Sequence, residues 1–237
     1  MGGKSIVNAA IVDESGPVTL IGCGSVKGSV LRRAIVQAPV VVAADGAAQV
    51  ALDHGIMPDA VIGDFDSIPE AAQDSIPQAR LYRIAEQDST DFEKCLRNIR
   101  APLVIGVGFG GGRVDHQLAA FHGLMRHADR PCLLLGKRDL VFIVPPAFHL
   151  SLPQGSRFSL FPLGEVRARS RGLRWPLDGI AFAPGSRIGT SNAVSGPVKI
   201  EVNAPAMLAI LPARTLEAVI AGLTADDAGR WPCVPSS

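Results

Sequence analysis

Short apolar runs recur through the first 140 residues, separated by longer amphipathic stretches. Residues 18–21, 40–44, 60–62, 103–105 and 132–135 read as strands that are apolar on both faces. Such runs, alternating with helical patterns, predict βαβ units and a parallel sheet covered on both sides. From Phe148 the texture changes. Residues 158–161, 166–168, 198–202 and 207–211 are β-prone, with turn signals such as Pro153-Gln154-Gly155 and Pro184-Gly185-Ser186 between them. That spacing predicts a small all-β unit, a sandwich or barrel. A short helix is expected after Thr215, ahead of a proline-rich end. The chain therefore divides into an α/β unit, residues 1–145, and an all-β unit, residues 146–237, joined near 140–147.

Composition supports this division. The 237 residues are 47% hydrophobic and 19% charged, enough apolar surface for one large or two modest cores and too much for a disordered chain. The 25 glycines and 18 prolines exceed the usual share, as many tight turns would require. Lys and Arg number 23 against 22 Asp and Glu. That balance excludes broad electrostatic binding to nucleic acid or a membrane surface, so any polyanion site is local. No apolar run reaches the roughly 20 residues of a membrane span, and residues 1–12 carry no secretory apolar stretch. Cys23, Cys95, Cys132 and Cys233 form no CxxC pair. Reduced thiols in a cytoplasmic protein are the simplest reading.

The candidate chemistry sits just after the strand ends, where ligands bind in open α/β sheets. Asp45, Asp64, Asp66, Asp88 and Asp91 all occupy strand ends or helix starts. Asp64 and Asp66 are two apart, so an extended backbone would point both to one face. Crowded carboxylates repel, and a hard cation such as Mg²⁺ relieves the repulsion with oxygen ligands and substrate phosphates. For each aspartate alone, a turn or cap role is the simpler explanation. The segment from Gln87 to Lys94 opens a helix, with Thr90 and Glu93 matching a capping box and Phe92, Leu96 and Ile99 forming an apolar stripe. Asp91 and Lys94 then share a face in its first turn.

A glycine-rich stretch, Gly106-Val107-Gly108-Phe109-Gly110-Gly111-Gly112-Arg113-Val114-Asp115-His116, follows a strand and leads into a helix bearing Leu118, Phe121 and Leu124. Glycines let backbone N–H groups approach phosphate closely, and Arg113 adds a forked cation. Gly106, Gly108 and Gly111 formally match a dinucleotide fingerprint, but that motif belongs to the first βα turn, followed by an acid after the next strand. Here the next strand ends at Gly136-Lys137-Arg138. His116 is either a phosphate donor and acid–base group or a helix-start residue bonded to its neighbours.

Together these segments resemble the thiamine pyrophosphokinase family. The likeness runs through Ala44-Asp45-Gly46-Ala47, Pro58-Asp59, Gly63-Asp64-Phe65-Asp66-Ser67, the segment from Gln87 to Lys94 and Gly111-Gly112-Arg113-Val114-Asp115-His116. It continues through Gly172-Leu173-Arg174-Trp175-Pro176-Leu177 and Gly189-Thr190-Ser191-Asn192. The resemblance implies a three-layer α/β domain with a mostly parallel sheet, then an all-β sandwich, in a homodimer with active sites at the subunit interface. It implies Mg²⁺-dependent transfer of a pyrophosphoryl group from ATP to the hydroxyl of thiamine. By the same resemblance Asp64, Asp66, Asp88 and Asp91 hold the metal, and Asp64, Asp66, Asp91, Lys94 and Arg113 serve catalysis. Asp45, Gly46, Ser67, Gln87, Asp88, Thr90, Gly111, Gly112, Asp115 and His116 would contact nucleotide, and Trp175, Ser191 and Asn192 thiamine. Ala47 and Ala120 depart from the family pattern. A diphosphokinase for another heterocyclic alcohol, such as a hydroxymethylpterin, shares the aspartate and Gly-Arg motifs. A non-catalytic nucleotide-binding module would not need the metal set.

Overall fold

The computed structural model describes residues 10–233, so most of the 1–12 segment lies outside the described residues. The apolar runs of the first half become strands β1 (Val12–Asp13), β2 (Val18–Ile21), β3 (Val40–Ala44), β4 (Ala60–Gly63), β5 (Leu81–Arg83), β6 (Ile99–Arg100), β7 (Val104–Val107) and β8 (Cys132–Leu135). Helices α1 (Gly28–Gln37), α2 (Ala47–Asp53), α3 (Glu70–Ser75), α4 (Asp91–Asn98) and α5 (Val114–Arg126) fall between them. Every residue of β2, β4, β7 and β8 is buried, as expected of strands covered on both faces.

These strands pair in parallel in the order β5-β4-β3-β2-β7-β8, with β1 and β6 forming a separate two-stranded ladder. The chain runs outward from β2 to β5, then returns to the other side of β2 as β7. The loops after β2 and β7 therefore leave the sheet edge in opposite directions. A crevice opens between them at the carboxyl ends of the strands, the topological switch point where such sheets bind ligands.

The second half adds β9 (Asp139–Ile143), β10 (Ala147–Leu150), β11 (Arg157–Pro162), β12 (Val166–Leu173), β13 (Ala181–Phe182), β14 (Thr190–Val202), β15 (Met207–Pro212) and α6 (Leu216–Thr224). All its pairings are antiparallel. Strand β14 pairs with β11 through residues 190–193 and with β12 and β10 through residues 194–202, so one long strand turns the sheet back on itself. Buried and solvated positions alternate along β11 and β12, the pattern of a sheet with one wet face.

Residues 139–143, which overlap the expected join, form β9, which pairs with both β8 and β15. Hydrogen-bonded strands thus run unbroken from the parallel part into the antiparallel part. One apolar cluster spans them, from Ile105 and Leu133 to Phe142, Phe158 and Leu160. The tail after Leu211 straps this junction: Gly229 N donates to Ala147 O at 3.0 Å, and Trp231 Nε1 donates to Val144 O at 3.1 Å. Among the described residues, no helix is long and apolar enough to cross a membrane.

Candidate active site

Strand β3 ends at Asp45, whose buried carboxylate accepts hydrogen bonds from Phe65 N (2.7 Å) and Ser67 N (3.2 Å). It staples the loop after β4. That loop is not the extended backbone expected for Asp64-Phe65-Asp66. Phe65 is left-handed, with φ 69°, so Asp64 is buried while Asp66 is exposed. The turn nonetheless folds the two acids together, with Asp66 N donating to Asp64 Oδ1 at 3.3 Å. Only glycine fits at position 63, where a Cβ would come within 2.6 Å of Asp45. Asp45 is itself left-handed at φ 47°, so the two non-glycine residues with positive φ among the described residues both lie here. Each costs on the order of 1 kcal/mol or more, strain that concentrates at functional sites.

The capping box forms as expected: Thr90 Oγ1 accepts from Glu93 N at 3.3 Å, and Thr90 N donates to Glu93 Oε2 at 3.2 Å. This fixes the first turn of α4, placing Asp91 and Lys94 on one face. Lys94 is almost fully buried. Its ammonium donates to Asp64 Oδ2 at 2.7 Å and to Asp91 Oδ1 at 3.0 Å. Burial alone would lower its pKa, but these two carboxylates raise it, so it stays charged. The Lys94 hydrogen bond in turn holds Asp64 below the usual carboxylate range. Asp91 is pushed up, chiefly by burial and against the pull of Lys94.

Gln87 Nε2 also donates to Asp64 Oδ2, at 3.2 Å, and Ser67 Oγ donates to Asp66 Oδ1 at 2.8 Å. Carboxylate oxygens of Asp45, Asp64 and Asp66 lie within 4.8 Å of one another. Asp91 joins this group through Lys94. Asp88 stays outside it, exposed and without a hydrogen bond or ion pair among the described residues. Four carboxylates gather around a single ammonium that bonds only two of them, and their ligand atoms are all hard oxygens. That surplus of negative charge fits a divalent cation.

A cleft of about 500 Å³ opens beside this cluster, at the switch point. Gly22, Cys23, Ala44, Asp45, Ser67, Thr90 and Asp91 line it, together with residues 108–110, Gly112, Arg113, His116 and Gln117. Gly46 itself occupies the N-cap of α2, next to Asp45, and Gly111, left-handed at φ 75°, shapes the loop. Arg113 is clasped by Asp115 through Nη2 at 2.5 Å and Nε at 3.1 Å, which drops the Asp115 pKa to about 2. Asp115 also accepts from His116 N at 3.0 Å. Leu118, grouped with the apolar face of α5, is 61% exposed. Cys23, Phe92, Phe109 and Gln117 line the cleft as well, although sequence reading gave them no role there. Cys23 was findable from its place in the loop that follows β2. Burial, reinforced by Asp45 and Asp91, lifts its thiol to about 11, which keeps it protonated.

The second-half residues form a separate group. Asn192 is buried and its amide grips the Trp175 backbone from both ends: Oδ1 accepts from Trp175 N at 3.1 Å and also from Ala193 N at 2.9 Å, and Nδ2 donates to Trp175 O at 2.6 Å. The indole is 51% exposed, with the Arg174 guanidinium 5.0 Å from its ring centroid. Ser191 lies exposed on β14, opposite Ser159 of β11. None of the three lines the carboxylate cleft of the same chain.

Two family models match this chain: the thiamin pyrophosphokinase catalytic domain over residues 31–134, and the thiamin pyrophosphokinase vitamin B1 binding domain over residues 148–207. Thiamine pyrophosphokinase of Bacillus subtilis is 30% identical over 154 residues, covering 60% of this chain and 72% of that one. The chain belongs to the thiamin pyrophosphokinase family. Thiamine pyrophosphokinase 2 of Arabidopsis thaliana is 32% identical over 157 residues; the match spans 58% of each chain, less than two thirds of the plant protein's length. The fold agrees. Yeast thiamin pyrophosphokinase superposes with a TM-score of 0.68 at 17% identity, covering 92% of this chain and 96% of that one. The enzyme from Geobacillus thermodenitrificans gives 0.68 at 22% identity, over 83% and 96%. The catalytic-domain match encloses the carboxylate cluster, and the vitamin B1 match encloses Trp175, Ser191 and Asn192 of this thiamin pyrophosphokinase family member.

Proposed function

We propose that this chain transfers the pyrophosphoryl group of ATP to the hydroxyl of thiamine, giving thiamine diphosphate and AMP, with Mg²⁺ held by Asp64 and Asp66 beside Asp45 and Asp91. The observation that carries this reading is the clustering of Asp45, Asp64 and Asp66, with Asp64 tied to Asp91 through one buried lysine, at the crevice between glycine loops, in a chain that matches both family models. When bound, the metal would shield the triphosphate and stabilise charge on the departing AMP. Lys94 holds Asp64 and Asp91 in place. Arg113 sits at the cleft with its fork already set for a bidentate anion, and a phosphate can take the place of the Asp115 carboxylate. The thiamine oxygen forms a bond to the β-phosphorus as the bond from that phosphorus to the AMP oxygen breaks.

In this reading residues 1–145 bind metal and nucleotide, while residues 146–237 bind thiamine and build a homodimer. Trp175 is exposed yet lies off the cleft of its own chain, which favours thiamine capture across a subunit boundary. The test is AMP release. It should require ATP, Mg²⁺ and thiamine together. Release driven equally well by a hydroxymethylpterin, or ATP binding without any AMP, would overturn the assignment.

Trp175→Ala is expected to raise the KM for thiamine about ten-fold and leave that for ATP within two-fold, from loss of an aromatic face for a cationic heterocycle. Asn192→Ala should act in the same direction, because its amide holds the Trp175 backbone. Equal losses for both substrates in steady-state kinetics would make the pair structural.

A further inference from the structure

The two glycine loops divide two cavities, and the carboxylate cleft is only one of them. The loop after β2, Gly22-Cys23-Gly24-Ser25-Val26-Lys27, is laced to the loop after β7: Gly24 N donates to Gly108 O at 2.7 Å. Neither glycine can be replaced without conflict. A Cβ on Gly24 would lie 2.4 Å from Gly108 O, and one on Gly108, left-handed at φ 85°, would lie 2.4 Å from Gly22 O. Beyond this divider, at the carboxyl ends of β7 and β8, is a second cavity of about 460 Å³.

Its character is opposite to that of the first. Buried Val107, Leu134 and Val141 line it, together with exposed Lys27, Lys137 and Arg138. Asp139 lines it too, but is ion-paired with Arg157. Among the described residues, no hydrogen bond or ion pair engages the side chains of Lys27, Lys137 or Arg138. The cations of the acidic site, Lys94 and Arg113, are by contrast each committed to aspartates. Helix α1 starts at the same cavity, with no side-chain cap on its N-terminus and no acid in its first turn. Its positive end is therefore left uncompensated.

We propose that this basic cavity is a second ligand site and that it takes a phosphate-ended molecule. Three unpartnered cations and the start of α1 suit a head group of two or three negative charges, and the apolar lining suits a compact organic body attached to it. Two sources share that chemistry. One is the nucleoside monophosphate end of the donor, reaching round the glycine loops; the other is a separate phosphorylated metabolite. The first rests on the ATP reading above, whereas the site itself does not.

The test is equilibrium titration of the full chain with AMP and with inorganic pyrophosphate, in EDTA so that the carboxylate cluster carries no metal. Saturable binding that weakens with added salt is expected for at least one of them. Lys137→Ala combined with Arg138→Ala should weaken it roughly ten-fold or more, from loss of charge-assisted bonds, while Asp64→Asn leaves it unchanged. Both basic residues are exposed, so the double variant should melt with the wild type. A raised KM for ATP in that variant assigns the site to the donor, and an unchanged KM assigns it to a separate ligand. No saturable binding of either compound, binding that survives the double substitution, or binding lost in Asp64→Asn would overturn the proposal.

Discussion

Asp64→Asn is expected to lower thiamine-dependent AMP release by roughly a thousand-fold or more while the melting temperature shifts by only a few degrees. The substitution keeps the shape of the side chain. One amide oxygen can still accept from Lys94, which retains Asp91 as its second partner. What disappears is the negative charge shared with Asp45 and Asp66, whose oxygens lie within 4.8 Å of it. A divalent ion held by one carboxylate fewer, still facing the Lys94 ammonium, binds weakly. Metal stabilisation of a transferring phosphoryl group is worth several kcal/mol, or three or more powers of ten in rate. Steady-state rates with thermal denaturation of both proteins check this. Turnover within ten-fold of wild type would remove Asp64 from the metal site and weaken the assignment of the whole cluster.

Much of the fold was legible because the parallel strands are apolar on both faces. Residues 40–44 and 132–135 coincide with β3 and β8, and the Thr90–Glu93 cap announced α4 to the residue. The misses share a cause: tertiary partners decide what local pattern leaves open. Leu81-Tyr82-Arg83 becomes an edge strand only because β4 pairs with it. Residues 139–143 look like a linker until β8 and β15 claim both sides. The site divides in the same way. Residue types at strand ends pointed to the carboxylates, yet their spacing gave no hint that Phe65 would turn left-handed between Asp64 and Asp66. Nor could it show that Asn192 would bond both the N–H and the carbonyl of Trp175, which makes it a support for the indole. The spacing put Lys94 on one face of α4 with Asp91 but gave no sign of Asp64 as a second partner. The fold encloses it between two acids, behind Asp91, which lines the cleft.

That enclosure gives Lys94→Met two linked consequences, one on stability and one on rate. The thioether fills much the same space, but Asp64 and Asp91 lose their shared cation. Removing one partner of a buried ion pair costs about 3–5 kcal/mol. Asp91 is 37% exposed, so solvent screens part of the loss and about 2 kcal/mol is expected near neutral pH. The pH dependence follows from the direction of the shift. The Lys94 hydrogen bond depresses the folded pKa of Asp64 below its ordinary 3.8, so that contribution is complete above pH ~4. It fades as pH falls through the depressed value. The Lys94 pKa is raised above 10.5, so the ammonium persists across that whole range. Urea denaturation should therefore show a gap between wild type and Lys94→Met that is widest from pH 5 to 8 and narrows below pH 4. Turnover should fall roughly a hundred-fold or more, since Asp64 and Asp91 would be free to move apart from the geometry that holds the metal. Lys94→Arg cannot place its larger head in the same buried space and should recover little. A variant as stable as wild type at pH 7 would show that the ammonium does not hold these carboxylates. A gap that stays constant down to pH 3 would show that its effect is packing and not charge.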